Sequence, residues 1–302
     1  MVEQASSGLA AVRDRGRQGQ RTSRLKKWLV DWSMALPLLV LTSFMLVAPM
    51  VAMLIASFSS KGQFSLANWA GTLSSSSSQR AISNSLLLGL AVATIALLVG
   101  GPLSWLISRM LRFGRAFNLG MLNVAANFSG IGLGFAFIAA LGTYGMVTLV
   151  IQQFGVPFTP VSQSSFLGMV ISYEYSNIPL FVLLSLPAMS LLREEWWEAA
   201  QAASATRWQF WRHVGLPILA PFLIADWLLI FTWAVGMYGL PLALVGTSPR
   251  AFRLITVEMG QSMVGSFFGV NKVPVYAMIL MVIAAVTLSA YRLVIRRAVK
   301  WL

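Results

Sequence analysis

Cysteine is absent from this 302-residue sequence, histidine occurs once and carboxylates number nine. Without thiols there can be no disulfide staple, thiolate metal site or cysteine nucleophile. His213 has no second imidazole to act with, so a histidine-built metal or catalytic cluster is excluded and the residue reads as a cation at a helix end. No stretch of the form G-x-x-x-x-G-K-[ST] occurs, which removes ATP hydrolysis by that route from this chain. Charge of either sign is scarce, at 10% of residues against 57% hydrophobic ones. So little polar surface cannot cover a water-soluble globule, and the expected fold class is all-α integral membrane. The formal net charge of +13 would favour nucleic acid only if the basic residues gathered on one soluble face. Here they flank apolar runs, which points to membrane topology and to no nucleic-acid partner.

A bilayer core of about 30 Å needs roughly 20 apolar residues at about 1.5 Å each. Six apolar runs meet that length: Met34 to Phe58, Ser85 to Ile107, Phe117 to Gly142, Leu167 to Leu192, Pro217 to Val245 and Val273 to Ile295. The first follows a polar leader and is too long for an ordinary signal peptide, so it is expected to be a retained helix. Of the 22 Lys and Arg, seventeen lie in the tail, the second-to-third loop, the fourth-to-fifth loop and the C-terminal end. The positive-inside bias then puts both termini and the fourth-to-fifth loop in the cytoplasm. Residues 1–33 are expected to form a basic, disordered tail able to approach anionic lipid near Lys26 and Lys27, with residues 34–302 as the transmembrane domain. The run Ser74 to Ser78 reads as a flexible linker. The uncharged outer loop Thr143 to Phe166 reads as sticky enough to lie on the membrane or a partner. Gly130, Gly132 and Gly134 have dinucleotide-loop spacing, yet no strand precedes them. Close helix packing through Gly130 and Gly134 fits better, either between subunits or within the chain.

The fourth-to-fifth loop, 193–217, differs from everything around it. It holds Glu194, Glu195 and Glu198, three of the nine carboxylates, beside Trp196, Trp197, Trp208, Phe210 and Trp211. Glu194 to Ala203 contains no Gly or Pro, and Ala199, Ala200, Ala202 and Ala203 leave a slim helix. Thr206 followed three residues later by Gln209 forms a capping-box pattern for a second helix, Arg207 to His213, before Gly215 and Pro217 turn the chain back toward the membrane. The aromatics read as an exposed surface that calls for lipid or a partner.

Glu198-Ala199-Ala200, three residues, Ser204, nine residues, then Val214-Gly215-Leu216-Pro217 resembles the EAA loop of the permease subunits of bacterial ABC importers. That family's pattern is Glu-Ala-Ala, three residues, Gly, nine residues, Ile-any-Leu-Pro. Val214 is a near-neutral departure. Ser204 in place of Gly matters if the turn demands positive φ, at a cost on the order of 1 kcal/mol, unless Ser204 caps the second helix instead. Asn84-Ser85-Leu86, "NFSGIGLGFAFIAALGTYG" and "YEYSNIPLFVLLSLPAM" extend the resemblance over roughly Asn84 to Arg292, toward the polyamine, ferric iron, thiamine and phosphonate branch.

The resemblance implies a bacterial inner-membrane transport subunit rather than an enzyme, with six helices and a coupling helix between the fourth and fifth. Its implied partners are a cytosolic ATPase dimer carrying the ATP and Mg, a second identical or homologous permease, and a soluble substrate-binding protein received by the outer loops. This chain itself would need no cofactor. Glu194, Glu195, Glu198, Ala199, Ala200, Ser204, Leu216 and Pro217 would form the ATPase-coupling element.

Two carboxylates lie inside the expected spans, Glu174 and Asp226, and such groups are costly in hydrocarbon unless paired or wetted. Glu174, flanked by Tyr173, Tyr175 and Asn177, lines a path or forms a structural pair. Asp226 lines the path at another depth or pairs with an inner-loop arginine. Tyr238, near the Gly236/Gly239 break, would reach the lumen. No Ser/His/Asp set or catalytic carboxylate pair can be assembled. The rival reading is an ion-coupled carrier that uses Glu174 and Asp226 without an ATPase.

Overall fold

The computed structural model describes residues 33, 35–60, 62–155, 160–246, 252–265 and 270–299. Six helical stretches among them are long and apolar enough to cross a membrane, in keeping with the all-α membrane class. The chain divides into two compact units, Met1–Ala56 and Ser57–Leu302. In the first, helix α1 (Ala35–Ser57) is apolar on every side, with Leu38, Phe44, Leu46 and Ile55 all exposed. A helix uniformly apolar around its circumference suits lipid or another apolar surface.

The second unit opens with a two-residue hairpin, β1 (Ser59–Ser60) against β2 (Gln63–Phe64), in which Ser59 pairs with Phe64. The Phe58 ring stacks on Phe64 and Trp69, and α2 (Ala67–Leu73) follows. Next comes α3 (Ser76–Ser108), whose 33 residues span roughly 50 Å at about 1.5 Å each. The serine run therefore belongs to helix rather than linker: Ser76 begins α3, and buried Ser78 bonds the Tyr276 hydroxyl at 2.7 Å. Serine composition signals flexibility only where no neighbouring backbone or hydroxyl satisfies the side chain.

Helix α3 is the central strut. A Cβ on Gly89 would stand 2.6 Å from Val235 Cγ2, and one on Gly100 would stand 2.8 Å from Phe181 Cδ1. Two missing side chains thus let α10 (Leu216–Gly236) and α7 (Phe166–Met189) approach it closely. The core between them contains Leu88, Val92, Tyr173, Phe181, Ile230 and Leu240. Ser172 and Ser185 bond carbonyls one turn back, which keeps their hydroxyls satisfied in an apolar interior.

The third apolar run departs from the single span expected over Phe117 to Gly142. It is split into α4 (Arg112–Asn127), α5 (Gly130–Leu141) and α6 (Met146–Gln153). Extended Ser129 and Gly130, with φ of +74°, break the first pair, and the Gly142–Gly145 turn breaks the second. Hydropathy measures composition, so it passes over such breaks. Gly130 and Gly134 pack within the chain: a Cβ on Gly134 would stand 2.5 Å from Ala243 Cβ, and one on Gly239 would stand 3.3 Å from Gly130 Cα. This seam joins α5 to α11 (Gly239–Val245), which follows the break after α10.

Helix α12 (Ile255–Gly265) lies between the fifth and sixth expected spans and is fixed at its start. Asn84 Nδ2 donates to the Arg253 carbonyl at 3.0 Å, and the Ile255 N–H donates to Ser85 Oγ at 2.9 Å. Leu254, Ile255, Thr256 and Val257 are buried. Helix α13 (Val273–Val299) completes the bundle and meets α10 through a Thr232–Thr287 hydroxyl bond of 2.7 Å.

Candidate functional site

The 193–217 loop forms α8 (Glu194–Ala202) and α9 (Arg207–Phe210). Glu194 and Glu195 occupy the first turn of α8, where carboxylates complement the helix dipole. Arg109, at the end of α3, lies 3.5 Å from Glu194 and donates to the Leu192 carbonyl at 3.3 Å, which ties the start of α8 to the bundle. In a count of basic residues Arg109 carries only topological meaning, because nothing in a linear count reveals a contact across 85 positions.

Helix α8 ends in a Schellman motif. The Ser204 N–H bonds the Gln201 carbonyl at 2.8 Å and the Ala205 N–H bonds the Ala200 carbonyl at 2.9 Å, with Ser204 at φ of +57°. Ser204 is the only non-glycine residue with positive φ among the described residues. The turn therefore does demand the left-handed conformation, and Ser204 is not the cap of the second helix. That role belongs to Thr206: its Oγ1 accepts from the Gln209 N–H at 3.3 Å while Gln209 Oε1 accepts from the Thr206 N–H at 2.8 Å.

Two expectations for the loop need correction. The second helix does not turn at Gly215 and Pro217; it passes through a π-helical turn, Trp211–Gly215, directly into α10. Pro217 falls in the first turn of α10, and the wide turn before it absorbs the N–H it cannot donate. Nor do the aromatics form an outward surface. Trp196 and Trp211 pack on Ala188, Met189, Leu192 and Leu219. The Trp105 and Trp211 rings meet edge-on at 5.5 Å, and Trp197 meets buried Phe210 at 5.3 Å. Trp208 alone of the five stays well exposed, at 69%. The rings hold the loop to the bundle, and what faces outward is a stripe of Glu195, Glu198, Ala199 and Ala202, at i, i+3, i+4 and i+7. Ala200 lies on the half-buried side, and Leu216 and Pro217 are exposed.

Inside the bundle, Tyr173 and Asn177 are fully buried and Glu174 is 9% exposed, all on α7. Both Glu174 carboxylate oxygens, the Tyr173 hydroxyl and Asn177 Oδ1 have no hydrogen-bond partner among the described residues, whereas Asn177 Nδ2 donates to the Tyr173 carbonyl at 2.7 Å. Tyr175 is half-exposed and meets Phe128 and Phe137 edge-on at 6.2 and 6.0 Å. Asp226 on α10 is also 9% exposed, with Oδ2 unpartnered. Among the described residues it forms no ion pair, so an inner-loop arginine is not its partner. Tyr238 is partly exposed at the break before α11, its ring lying over Gly260 of α12. No group of three or more His, Cys, Asp or Glu is placed to hold a metal among the described residues. His213 is exposed, its Nδ1 2.9 Å from the Gln209 carbonyl.

No family model matches the chain. It is 35% identical over 105 residues to the sulfate transport system permease protein CysT of Salmonella typhimurium, which covers 35% of each chain. The molybdenum transport system permease protein ModB of Haemophilus influenzae is 26% identical over 180 residues, 57% of this chain and 76% of that one. Thus the chain spans about a third of the length of the sulfate relative it matches. Among solved structures, a bacterial ABC transporter that imports the acidic polysaccharide alginate superposes with a TM-score of 0.66 over 88% of this chain and 96% of that one, at 16% identity. The chain has the fold of an ABC-importer permease. A second alginate ABC transporter structure, in complex with a pentasaccharide-bound periplasmic protein, gives a TM-score of 0.64 at 17% identity, covering 89% of this chain and 93% of that one.

Proposed function

We propose that this chain is the transmembrane permease subunit of an ATP-driven ABC importer, forming the path for a small hydrophilic solute. The observation that carries this reading is the outward stripe Glu195, Glu198, Ala199 and Ala202 on a helix whose other side is fastened to the bundle by Trp196 and Arg109. A slim, acidic, rigidly mounted face suits docking in a groove of a separate ATPase dimer, which holds the ATP and Mg. Glu194, Ala200, Ser204, Leu216 and Pro217 set the pose of that helix. Nucleotide-driven closure then moves α8, and with it the π turn and α10. A second identical or homologous permease completes the path, and a soluble binding protein delivers the solute at the opposite face. In this reading the chain is a multi-pass inner-membrane protein with both termini and the α8 loop cytoplasmic, and Tyr173, Glu174, Tyr175, Asn177, Asp226 and Tyr238 line the path.

The test replaces Glu198 and Ala199 together with arginine in the reconstituted transporter and measures ATPase activity stimulated by the loaded binding protein. Stimulation should fall at least tenfold while the assembly still forms; unchanged stimulation overturns the coupling role. A second reading, an ion-coupled carrier, draws on the two unpartnered carboxylates. Uptake by the chain alone under an ion gradient would favour it.

A further inference from the structure

An unpaired carboxylate within a membrane bundle is costly, so one that persists without a partner marks a place where something else supplies the opposite charge. Glu174 is that case: both oxygens lack partners and the group is nine-tenths buried. Asn177 lies three residues beyond Glu174 and four beyond Tyr173, the spacings that place side chains side by side on a helix. The Asn177 amide N–H is already committed to the Tyr173 carbonyl, so its oxygen is the atom left over. Glu174 and Asn177 thus present two carboxylate oxygens and an amide oxygen as acceptors, and the Tyr173 hydroxyl is likewise unpartnered on the same helix.

The charge inventory points the same way. Residues 85–107, 116–153, 166–189, 216–246 and 273–291 contain no Lys, Arg or His. An anionic solute crossing them would meet two carboxylates and no compensating cation. A transition metal is a poor match too, since no cluster of three ligating side chains occurs among the described residues. What the acceptors do match is a cation rich in N–H donors. We propose that Glu174, Asn177 and Tyr173 form a selecting site for an organic cation, an ammonium or guanidinium, in contrast to the sulfate and alginate named for the similar proteins. The proposal rests on the reading that the α7 cluster lines the path of the importer.

The test uses the full-length chain in lipid nanodiscs and follows its thermal unfolding midpoint at constant ionic strength. The probes are ethylenediamine, L-argininamide, sodium sulfate and sodium molybdate. The amines should raise the midpoint by several degrees and the oxyanions should not. Glu174→Gln, which keeps the size of the side chain, should abolish the shift, and its midpoint without any probe should equal or exceed that of the native chain. The proposal is overturned by a shift with the oxyanions alone, by an equal amine response in Glu174→Gln, by no response to any probe, or by a lowered midpoint in unliganded Glu174→Gln. Glu198→Arg should keep the amine shift. Failure of the native chain to recruit an ATPase, with the amine shift intact, counts against the importer and leaves the cation site standing.

Discussion

Trp211 lies against Gly215 within the π turn, so closely that a Cβ on the glycine would stand 2.7 Å from ring atom Cε3. The indole also touches Trp105 and Phe210, so it cannot retreat. Gly215→Ala should therefore lower stability by about 1–3 kcal/mol through overpacking. Thermal unfolding in detergent should show the loss, and Trp211→Leu in the same chain should recover much of it.

Ser204 pays backbone strain for its left-handed φ of +57°. Ser204→Gly should raise stability by up to about 1 kcal/mol, whereas β-branched Ser204→Val should lower it by at least as much. The same unfolding measurement decides both. A Ser204→Gly chain less stable than the native one would show that the hydroxyl does more than tolerate the turn.

Gly134 meets Ala243 and the Leu240 carbonyl across the α5 to α11 seam. Gly134→Val puts side-chain atoms where backbone already stands and should cost about 1–3 kcal/mol. Gly132, whose Cβ would meet nothing within 4 Å, is the internal control. Gly132→Ala should leave the unfolding midpoint unchanged or slightly raised.

Ser85 and Asn84 hold the start of α12 by two hydrogen bonds to backbone. Removing both with alanine should cost about 1–3 kcal/mol locally, because the buried Ile255 N–H is left without an acceptor. Hydrogen exchange over residues 252–265 should rise selectively, with exchange in α3 below Leu88 unchanged.

Arg109 and Glu194 form an exposed pair, 36% and 74% accessible at the side chains. Arg109→Ala should cost no more than about 1 kcal/mol of stability. Its effect should appear instead in the mounting of α8, as faster exchange over Glu194–Ala202.

The number of spans, the loop and its Thr206 cap could be read from the sequence because each depends on short-range physics. Apolar length gives the spans, Thr206 and Gln209 form a box across three residues, and Glu194 to Ala202 carry their own helix propensity. Breaks set by a single backbone angle escaped, as at Gly130, where the apolar average runs on across the break. So did everything that depends on which face turns inward. Trp196, Trp197, Phe210 and Trp211 look like an exposed cluster in a linear string, yet they are internal struts, because only the fold brings Leu219 and Ala188 beneath them. Glu174 and Asp226 were identifiable as anomalies from charge scarcity alone. Their lack of partners could not be, since it depends on every neighbour across the bundle.

Helix α3 holds two neighbouring segments: Asn84 and Ser85 hold the segment before α12, and Arg109 holds the root of α8. About 38 Å of one rod separates these two holds, 25 residues at about 1.5 Å each. Tilting that rod at one hold must displace the other, so the segment before α12 and the root of α8 move as two ends of one lever.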